Sequence, residues 1–512
     1  MILPRREWIK FALSPVATWL GIAHAQSPSF EKDPFALGVA SGSPTPNSVV
    51  LWTRLLAANP MRNPWGDTPV AVRWELSTQQ DFAIVQQSGE AVALPQLAHS
   101  VHVEPEGLLS NQTYFYRFRV GNYQSPVGRT RATPAAGAQV DALKFAVASC
   151  QRYHSGAFAA YAHMLNDAPD LVLFLGDYIY EMGATTSEAR GTWAYAARTL
   201  TDYRSLYELA KSDRHLQTMH AACPWLVIWD DHEVLNDYAG GPIRAGETGR
   251  TARHMSWGYQ AWYEHMPVST KALTAGITGL VERGAETRIY SAVSWGNLAR
   301  FYLLDMRQYR SAHVDCGIAK AFKPEECADW KNPERTMLGK EQERWLDEQL
   351  KTSQGYRWNL LAQTTVMSQY TLPVFGGSAW SDGWDGYPVS RTRLLNDLQK
   401  NRTRNPIIFG GDIHQNWVSH VKQQNYAVPE FVMTSVTTPS FGPVTAEEMK
   451  ALAPDCLYTD RHRRGYGLVQ IDRQKMHIEL RGMEAVVREN SPVQTIAKFE
   501  VKDQASAINT IA

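Results

Sequence analysis

The chain has 512 residues, which is too long for one ordinary hydrophobic core and predicts at least two domains. Its 51 basic and 51 acidic side chains balance and are mixed along the sequence, so neither a nucleic-acid-binding stripe nor a polybasic membrane anchor is indicated. Seventeen tryptophans are unusual, and most of them are best interpreted as core residues.

The N-terminus has the pattern of an export signal. Arg5 and Arg6 precede a modestly apolar stretch, and A-H-A at residues 23–25 is typical of a cleavage site. We expect a twin-arginine signal peptide over residues 1–25, read by the twin-arginine export machinery, and a periplasmic or secreted protein. A single membrane helix is the alternative, which Pro15 and the short apolar run weaken. No later stretch is apolar for long enough to predict a transmembrane segment.

Residues 26–136 have the pattern of a small β-sandwich domain. Short apolar or alternating runs, VVLW, AVRWELS, VHVEP and TYFYRFRVG, are separated by turn residues. The Pro, Ala and Gly residues at 133–138 predict a linker to a second domain over residues 137–512. We find no catalytic constellation before this linker, so the first domain is expected to pack against or shape a site elsewhere.

The stretch from Lys144 to Met182 predicts a βαβ unit with a parallel sheet. A short apolar run ends at Ser149 and Cys150, a helix-like segment follows, and the second apolar run, DLVLFLG, ends at Asp177. Parallel sheets carry their chemistry at the carboxyl ends of the strands. Cys150 and Asp177 are therefore expected to face one crevice, although a buried structural thiol is the alternative for Cys150.

Three later apolar runs also end in polar residues. They are PWLVIWDDHEV with Asp230, Asp231 and His232, RFYLLDMRQYR with Asp305 and Arg307, and NPIIFGGDIHQNW with Asp412 and His414. Asp412 and His414 are two positions apart, so in an extended strand both side chains would point to one side.

The repetition of this arrangement predicts a metal centre. One Asp after a strand is usually a helix cap or a turn residue. Strand ends rich in Cys, Asp and His are harder to explain in that way, because several carboxylates in one crevice repel and raise each other's pKa. Bound cations remove that repulsion, so we expect a cluster of metal ions.

The remaining features are structural. Cys316 and Cys327 flank a short polar loop and are expected to pair in an oxidising compartment. LGKEQERWLDEQL predicts an amphipathic helix, and WSDGWDGYP predicts a rigid loop at the mouth of the pocket. The runs VQIDRQ, HIELRG and KFEVKD are expected to complete a sheet, followed by a frayed C-terminal tail.

Together, several of these motifs resemble one family. GDYIYE, WDDHEV, LDMRQYR, RTMLGKEQERWL, WDGYP and GDIHQNW are similar to the PhoD-like alkaline phosphatases and phosphodiesterases, and GVASGSPTPNSVVLWTRL resembles the N-terminal domain of that family. The wider superfamily of calcineurin-like and purple-acid metallophosphatases implies an α/β fold, a four-layer α/β/β/α sandwich with metals at the strand ends. The resemblance covers nearly the whole chain after the signal.

Carried over by position, the resemblance implies a ligand set. Asp177 should bridge two metals, and Tyr180 matches the tyrosine that binds ferric iron in purple acid phosphatases. Cys150 replaces the Asp-x-His of the first superfamily motif. In the last motif His414 matches the second histidine, and Asp412 stands where the superfamily has the first.

The superfamily motif Gly-Asn-His-Asp/Glu does not settle which of two adjacent aspartates is the ligand here. Asp231 falls at its asparagine, and neighbouring side chains usually point apart, so either Asp230 or Asp231 is the nearer ligand. Asn236 is a further candidate ligand.

The donor atoms suggest which metals are bound. A thiolate, phenolate, imidazole and carboxylate set suits Fe³⁺, with Zn²⁺ as the main rival. A site of Asp177, Asp231, Asp412 and Asn236 offers only oxygen, which favours Ca²⁺, or Mg²⁺ and Mn²⁺. The family implication of iron and calcium agrees with this chemistry.

The implied reaction is hydrolysis of a phosphate ester by a metal-bound hydroxide. His232 is the candidate to protonate the leaving group or to bond the phosphate, with a supporting role beside the carboxylates as the alternative. Arg307 is the candidate to bind a phosphate oxygen, with a structural salt bridge to Asp305 or a neighbour equally open. The sequence does not separate monoesters from diesters. The alternatives to a phosphoesterase are a metal-binding cell-surface interaction protein on the same scaffold and, less specifically, a hydrolase of another bond such as a lactone.

Overall fold

The structure is a computed structural model. It describes residues 30–511 except 58–64, 185–188, 191–194, 241–247, 284–286, 319–320, 373–377, 441–444, 446, 449–450, 452 and 454. The predicted signal peptide, residues 1–25, lies outside the described residues.

The strands are short and follow the apolar runs of the sequence. They are β1 Val39–Gly42, β2 Val50–Arg54, β3 Val70–Ser77, β4 Gln87–Ala93, β5 Ser100–Val103, β6 Thr113–Val120, β7 Tyr123–Gln124, β8 Gly128–Arg131, β9 Ala142–Ala148, β10 Leu171–Leu175, β11 Trp225–Ile228, β12 Ser291–Trp295, β13 Ala299–Leu303, β14 Gly317–Ile318, β15 Ala321–Phe322, β16 Trp358–Ala362, β17 Thr371–Leu372, β18 Ser378–Trp380, β19 Pro406–Gly410, β20 Asn416–Gln423, β21 Tyr426–Val432, β22 Cys456–Asp460, β23 Arg464–Asp472, β24 Lys475–Met483, β25 Gln494–Lys502 and β26 Ile508–Ile511.

The helices lie between these strands. They are α1 Ala159–Asp167, α2 Leu200–Lys211, α3 Arg214–Ala222, α4 Thr248–His265, α5 Gly276–Arg283, α6 Lys340–Leu350 and α7 Pro388–Lys400, with short 3-10 turns elsewhere. None of them, within the residues described, is both long enough and apolar enough for a transmembrane helix.

The chain divides into two compact units. The first contains the chain up to Pro134 together with Ala197–Leu226 and Arg253–Arg288, and the second contains Ala135–Ala196, Val227–Ala252 and the residues from Ile289 onwards. The domain boundaries given above, 26–136 and 137–512, remain predictions.

The first unit contains the predicted N-terminal β-sandwich. One sheet has the order β4-β3-β6-β7 with β8 also on β6, and β1, β2 and β5 are neighbours in a second. The run TYFYRFRV of β6 alternates between buried and less buried residues, as expected for a strand with one face on a core. Val39 and Leu51 of the second sheet share one apolar cluster with Val72 and Tyr116 of the first, so the two sheets pack face to face.

Two sheets also form the centre of the second unit. In the first, β26-β25-β24-β23-β9-β10 are neighbours, and β9 and β10 run parallel around α1, which confirms the predicted βαβ unit. The second has the order β12-β13-β16-β19-β21-β20-β22, with β13, β16, β19 and β21 parallel. The expected frayed tail is wrong, because Ile508–Ile511 pairs with β25.

Aromatic residues join these two sheets. Phe145 of β9 lies 5.3 Å from Phe301 of β13 and 5.7 Å from Phe409 of β19, measured between ring centroids. Buried leucines of α6 and α7, among them Leu346 and Leu395, pack on the other face of the second sheet. With α1 against β23, this unit has the predicted α/β/β/α layers.

A small antiparallel sheet, β14-β15-β18-β17, completes the unit. The sulfur atoms of Cys316 and Cys327 form a disulfide beside it, with their Cα atoms 5.4 Å apart. Cys150, Cys223 and Cys456 are buried and form no disulfide bond within the described residues.

Candidate active site

The candidate residues lie where the strands of the second unit end, and four of them have an unusual backbone. Cys150, Asp177, Asp412 and His414 follow β9, β10 and β19, and their φ angles are 57°, 58°, 66° and 53°. A left-handed conformation costs a non-glycine residue about 1–2 kcal/mol. Such strain is typical of functional sites. The argument from strand alternation for Asp412 and His414 is wrong, because neither residue has strand geometry.

Glycine makes the close approach of these loops feasible. Gly176, immediately before Asp177, has a φ of 87°, and a Cβ there would lie 2.5 Å from the Cβ of Asp230. A Cβ on Gly411, immediately before Asp412, would lie 2.5 Å from the hydroxyl oxygen of Ser149. Larger residues at either position would push adjacent strand ends apart.

The first group of donors contains the predicted thiolate site. Sγ of Cys150, a carboxylate oxygen of Asp177 and a ring nitrogen of His414 all lie within 4.8 Å of one another, and all three residues are buried. The hydroxyl of Tyr180 donates to Oδ2 of Asp177 at 2.9 Å and lies 3.1 Å from Nε2 of His414. A thiol, a carboxylate, an imidazole and a phenol therefore lie close together.

Without a cation, this group carries strongly perturbed pKa values. Burial and the charge of Asp177 raise the pKa of the Cys150 thiol well above its usual value. Burial also raises the pKa of Asp177, and the nearby carboxylates add to that effect. Burial and the charge of Arg464 lower the pKa of His414 to about 3, so its ring is neutral and able to act as a ligand.

A second group shares Asp177 with the first. Carboxylate oxygens of Asp177 and Asp231 and a ring nitrogen of His232 lie within 4.8 Å of one another. Nδ1 of His232 is 2.7 Å from Oε2 of Glu181, and Oε1 of Glu181 accepts the backbone N–H of Asn236 at 2.9 Å. The contact with Glu181 thereby fixes the orientation of the His232 ring.

Asp230 and Asp231 have different surroundings, which separates the two candidates. Oδ1 of Asp230 accepts hydrogen bonds from Nε of Arg307 and, at 2.7 Å, from the hydroxyl of Thr364. Asp231 instead contributes a carboxylate oxygen to the second donor group, with Asp177 and His232. Burial would raise the pKa of Asp231, but the positive charges of Arg307 and His232 outweigh burial and bring it to about 2.

Arg307 is only 1% exposed and is held by carboxylates. Its Nη1 contacts both oxygens of Asp382, at 2.9 and 2.8 Å, and its backbone N–H donates to Asp305. Its Nη2 is 3.8 Å from oxygens of Asp231 and Asp412. The guanidinium thus lies among the acidic residues of the site, and its shortest ion pairs are with Asp230 and Asp382.

The last two candidate ligands, Asp412 and Asn236, belong to neither group of donor atoms within 4.8 Å. Asp412 is 9% exposed, and burial and the charge of Asp230 raise its pKa well above the usual value. Asn236 is exposed and reaches the site through its backbone bond to Glu181.

Two residues that support the site were given no role from the sequence, although Glu233 lies in the WDDHEV motif. Glu233 accepts backbone N–H groups of Asp177, Tyr178 and Asp230, at 3.1, 2.6 and 2.9 Å, and so fastens two strand ends together. The hydroxyl of Thr438 lies 2.9 Å from the Tyr180 hydroxyl and 2.7 Å from the Cys150 carbonyl. No sequence signal indicated Thr438.

Two further residues could have been found. Glu181 lies inside the quoted motif GDYIYE, and Asp382 lies in the WSDGWDGYP run that was interpreted as a pocket mouth. Asp382 is instead fully buried, and besides Arg307 it accepts a hydrogen bond from Nη2 of Arg310 at 2.7 Å.

One carboxylate oxygen on each of four acidic residues is buried without a hydrogen-bond partner in the described part of the chain. These atoms are Oδ1 of Asp177, Oδ2 of Asp230, Oδ1 of Asp231 and Oδ2 of Asp412. Each unsatisfied buried polar atom costs about 1–3 kcal/mol, and more when it is charged. The residues therefore fit bound cations.

Comparison with known proteins agrees with the resemblance noted in the sequence. The family described as "PhoD-like phosphatase" matches residues 145–480, and that described as "PhoD-like phosphatase, N-terminal domain" matches residues 21–134. Alkaline phosphatase D of Bacillus subtilis (strain 168) is 36% identical over 539 residues, covering 99% of this chain and 89% of the relative. A solved structure described as "Structure of PhoD" is similar with a TM-score of 0.86 and 36% identity, over 95% of this chain and 93% of that one.

The two family matches lie on either side of the predicted linker and include every candidate ligand. The TM-score of the solved structure confirms the predicted fold class, and the identity to the relative confirms the predicted enzyme class. From its strand-end chemistry, its fold and these matches, the chain belongs to the PhoD-like phosphatase family and is a phosphatase.

Proposed function

We propose that this phosphatase depends on metal ions held at the strand ends and hydrolyses phosphate monoesters, diesters or both. The observation that carries the proposal is the pair of donor groups joined by Asp177. A carboxylate shared by two groups of donor atoms suits a two-metal centre, because the two ions of such a centre lie close together.

The donor types favour different ions in the two groups. Cys150, His414, Tyr180 and Asp177 would hold Fe³⁺, with Zn²⁺ as the alternative, because thiolate and imidazole suit transition metals. Asp231 and Asp412 would join Asp177 in holding Ca²⁺, or Mg²⁺ or Mn²⁺, because these hard ions take oxygen ligands. The unpartnered oxygens of Asp231 and Asp412 support this assignment. When bound, the ions supply positive charge that stabilises the phosphoryl oxygens.

His232 is proposed to donate the proton to the leaving group. Glu181 fixes the ring through Nδ1, so Nε2 is the nitrogen that would face the ester oxygen as its bond to phosphorus breaks. Burial lowers the pKa of His232, but the charges of Glu181, Asp231 and Asp177 together raise it well above the usual value. The ring is therefore protonated at neutral pH in the absence of cations.

Arg307 is proposed to position the acidic residues. It is buried, and Asp230 and Asp382 occupy its Nε and Nη1. The remaining Nη2 has no hydrogen-bond partner within the described residues and lies 3.8 Å from both Asp231 and Asp412. A charge in that place keeps Asp231 ionised and opposes the rise that burial causes in the pKa of Asp412.

We also propose that the protein is exported by the twin-arginine pathway. The disulfide between Cys316 and Cys327 supports an oxidising destination. Replacing Arg5 and Arg6 by lysine should keep the protein inside the cell. Equal export of this variant and the native sequence would contradict the proposal.

Metal content tests the function independently of turnover. The full chain, purified from its native export route, should contain a transition metal and a hard divalent cation by elemental analysis. It should cleave p-nitrophenyl phosphate, bis-p-nitrophenyl phosphate or both. Asp177→Asn should lose both metals together, whereas Asp170→Asn, which changes a carboxylate at the other end of β10, should keep them.

The thiolate assignment has a spectroscopic readout. Fe³⁺ bound by Tyr180 and Cys150 absorbs visible light through charge transfer, so Cys150→Ser should change this band and reduce the iron content. Cys456→Ser removes another buried thiol that forms no disulfide bond, and it serves as the control. Unchanged metal content and turnover in Cys150→Ser would show that the thiolate does not bind metal.

A further inference from the structure

A second pocket lies at the opposite edge of the parallel strands from the active site. It has a volume of about 530 Å³, and residues 402–406 form part of its lining. Arg404 precedes β19, Gln354 precedes β16 and Tyr426 begins β21. Because β19 has five residues and a strand rises about 3.3 Å per residue, roughly 17 Å separates this edge from the catalytic one.

The pocket is rich in hydrogen-bond donors. Among its described lining residues are two arginines, Arg402 and Arg404, and four side-chain amides, but no Asp or Glu. Arg402 is exposed, and Arg404 is half-buried, so the charge of both is accessible.

The carboxylate that pairs with Arg404 is already shared. Asp503 accepts hydrogen bonds from Nη2 of Arg404, at 3.2 and 2.9 Å, and from Arg357. Asn405 also donates to it at 2.6 Å. Arg357 and Arg404 share this carboxylate, and Arg402 also lines the pocket, so these three arginines exceed Asp503 by two positive charges.

Two donors that belong to the lining residues are unsatisfied. Nε of Arg404 and the hydroxyl of Tyr426 are buried, and neither has a hydrogen-bond partner within the described part of the chain. A buried donor without an acceptor costs about 1–3 kcal/mol. An anionic ligand rich in hydrogen-bond acceptors would accept hydrogen bonds from both donors and balance the excess positive charge.

We propose that this pocket binds an oxyanion, namely the phosphate group of inorganic phosphate or of a phosphate ester. Guanidinium groups bind phosphate oxygens by charge-assisted hydrogen bonds, often two at a time. A volume of 530 Å³ is within the usual size of a small-molecule site and leaves room for an organic substituent on the phosphate. The pocket is separate from the residues assigned to the metals and to proton transfer.

Equilibrium dialysis with radioactive inorganic phosphate tests the proposal. The binding is measured in an Asp177→Asn background, in which the active site is disabled and esters are not consumed. We expect saturable binding to remain in this background, and Arg404→Gln to weaken it by about tenfold or more, the effect of one lost charge-assisted bond. Arg344→Gln changes an exposed arginine on α6 and should leave the binding unchanged.

Two further arms complete the test. Tyr426→Phe keeps the ring and removes only the hydroxyl, so weaker binding in this variant, with an unchanged melting temperature, excludes unfolding as the cause. Competition by dimethyl phosphate would identify a subsite for the ester chain of a substrate, and binding of inorganic phosphate alone would identify a product site. The proposal is overturned if the Asp177→Asn protein binds neither anion, or if Arg404→Gln and Arg402→Gln bind as the parent does.

Discussion

Asp382 offers the most demanding test of how the active site is held together. Its carboxylate is fully buried, contacts Nη1 of Arg307 with both oxygens, at 2.9 and 2.8 Å, and accepts from Nη2 of Arg310 at 2.7 Å. Asp382→Ala would leave two buried guanidinium groups without this partner. Removing one member of a buried ion pair costs about 3–5 kcal/mol, because the remaining charge stays desolvated.

The assay is thermal unfolding followed together with metal content. At about 2 °C for each kcal/mol, a value suited to large domains, the melting temperature should fall by about 6–10 °C. Metal content should fall as well, because Arg307 would no longer be held between Asp230, Asp231 and Asp412. Asp329→Ala is the matched control, since this aspartate pairs with Arg335 at 3.3 Å but its side chain is 54% exposed.

The control should change stability by less than about 1 kcal/mol, as for other surface ion pairs. A fall of less than about 2 °C for Asp382→Ala, with full metal content, would refute the reasoning. It would show that the two arginines find other partners or that water enters the site.

Three other perturbations follow from the geometry. Glu233→Gln leaves one acceptor oxygen for three backbone N–H groups, so it should lower the free energy of unfolding by about 1–3 kcal/mol and reduce turnover. A variant as stable as the parent on chemical denaturation would contradict this. Gly176→Ala places a Cβ at a φ of 87° and 2.5 Å from the Cβ of Asp230, so it should lower the free energy of unfolding by about 2 kcal/mol or more. A variant with the melting temperature of the parent would disprove the close approach. His99 is buried, and burial lowers its pKa to about 4 from 6.5, so the unfolded chain binds more protons between these values and stability should fall as the pH drops from 6.5 to 4. The loss should approach about 3 kcal/mol, and His99→Gln should have a flatter stability profile over that range; identical profiles would exclude His99 as the cause.

The fold and the centre of the site were accessible from local sequence patterns. Apolar runs predicted β9, β10, β11 and β19, and the polar residue at the end of each run marked the edge at which the chemistry lies. This works because parallel strands place their carboxyl ends at one edge of a sheet, so Cys150 and Asp177 are brought together by topology alone. The family motifs then extended the set to Tyr180.

The supporting residues were less accessible, because their partners are remote in sequence. Thr438 lies 258 residues from Tyr180, whose hydroxyl it contacts, and no periodicity relates the two. Asp382 is 75 residues from Arg307, and its loop resembled a solvent-facing pocket mouth although the side chain is fully buried. Burial and pairing over such separations are properties of the packed chain.

The choice between Asp230 and Asp231 shows the same division. The sequence by itself determined that the end of β11 carries two adjacent carboxylates, because the strand pattern stops there. Only the tertiary structure decided that Asp230 is bound by Arg307 and Thr364 while Asp231 joins Asp177 and His232. The physical reason is that neighbouring side chains at a strand end leave the backbone in different directions, and their surroundings come from other strands.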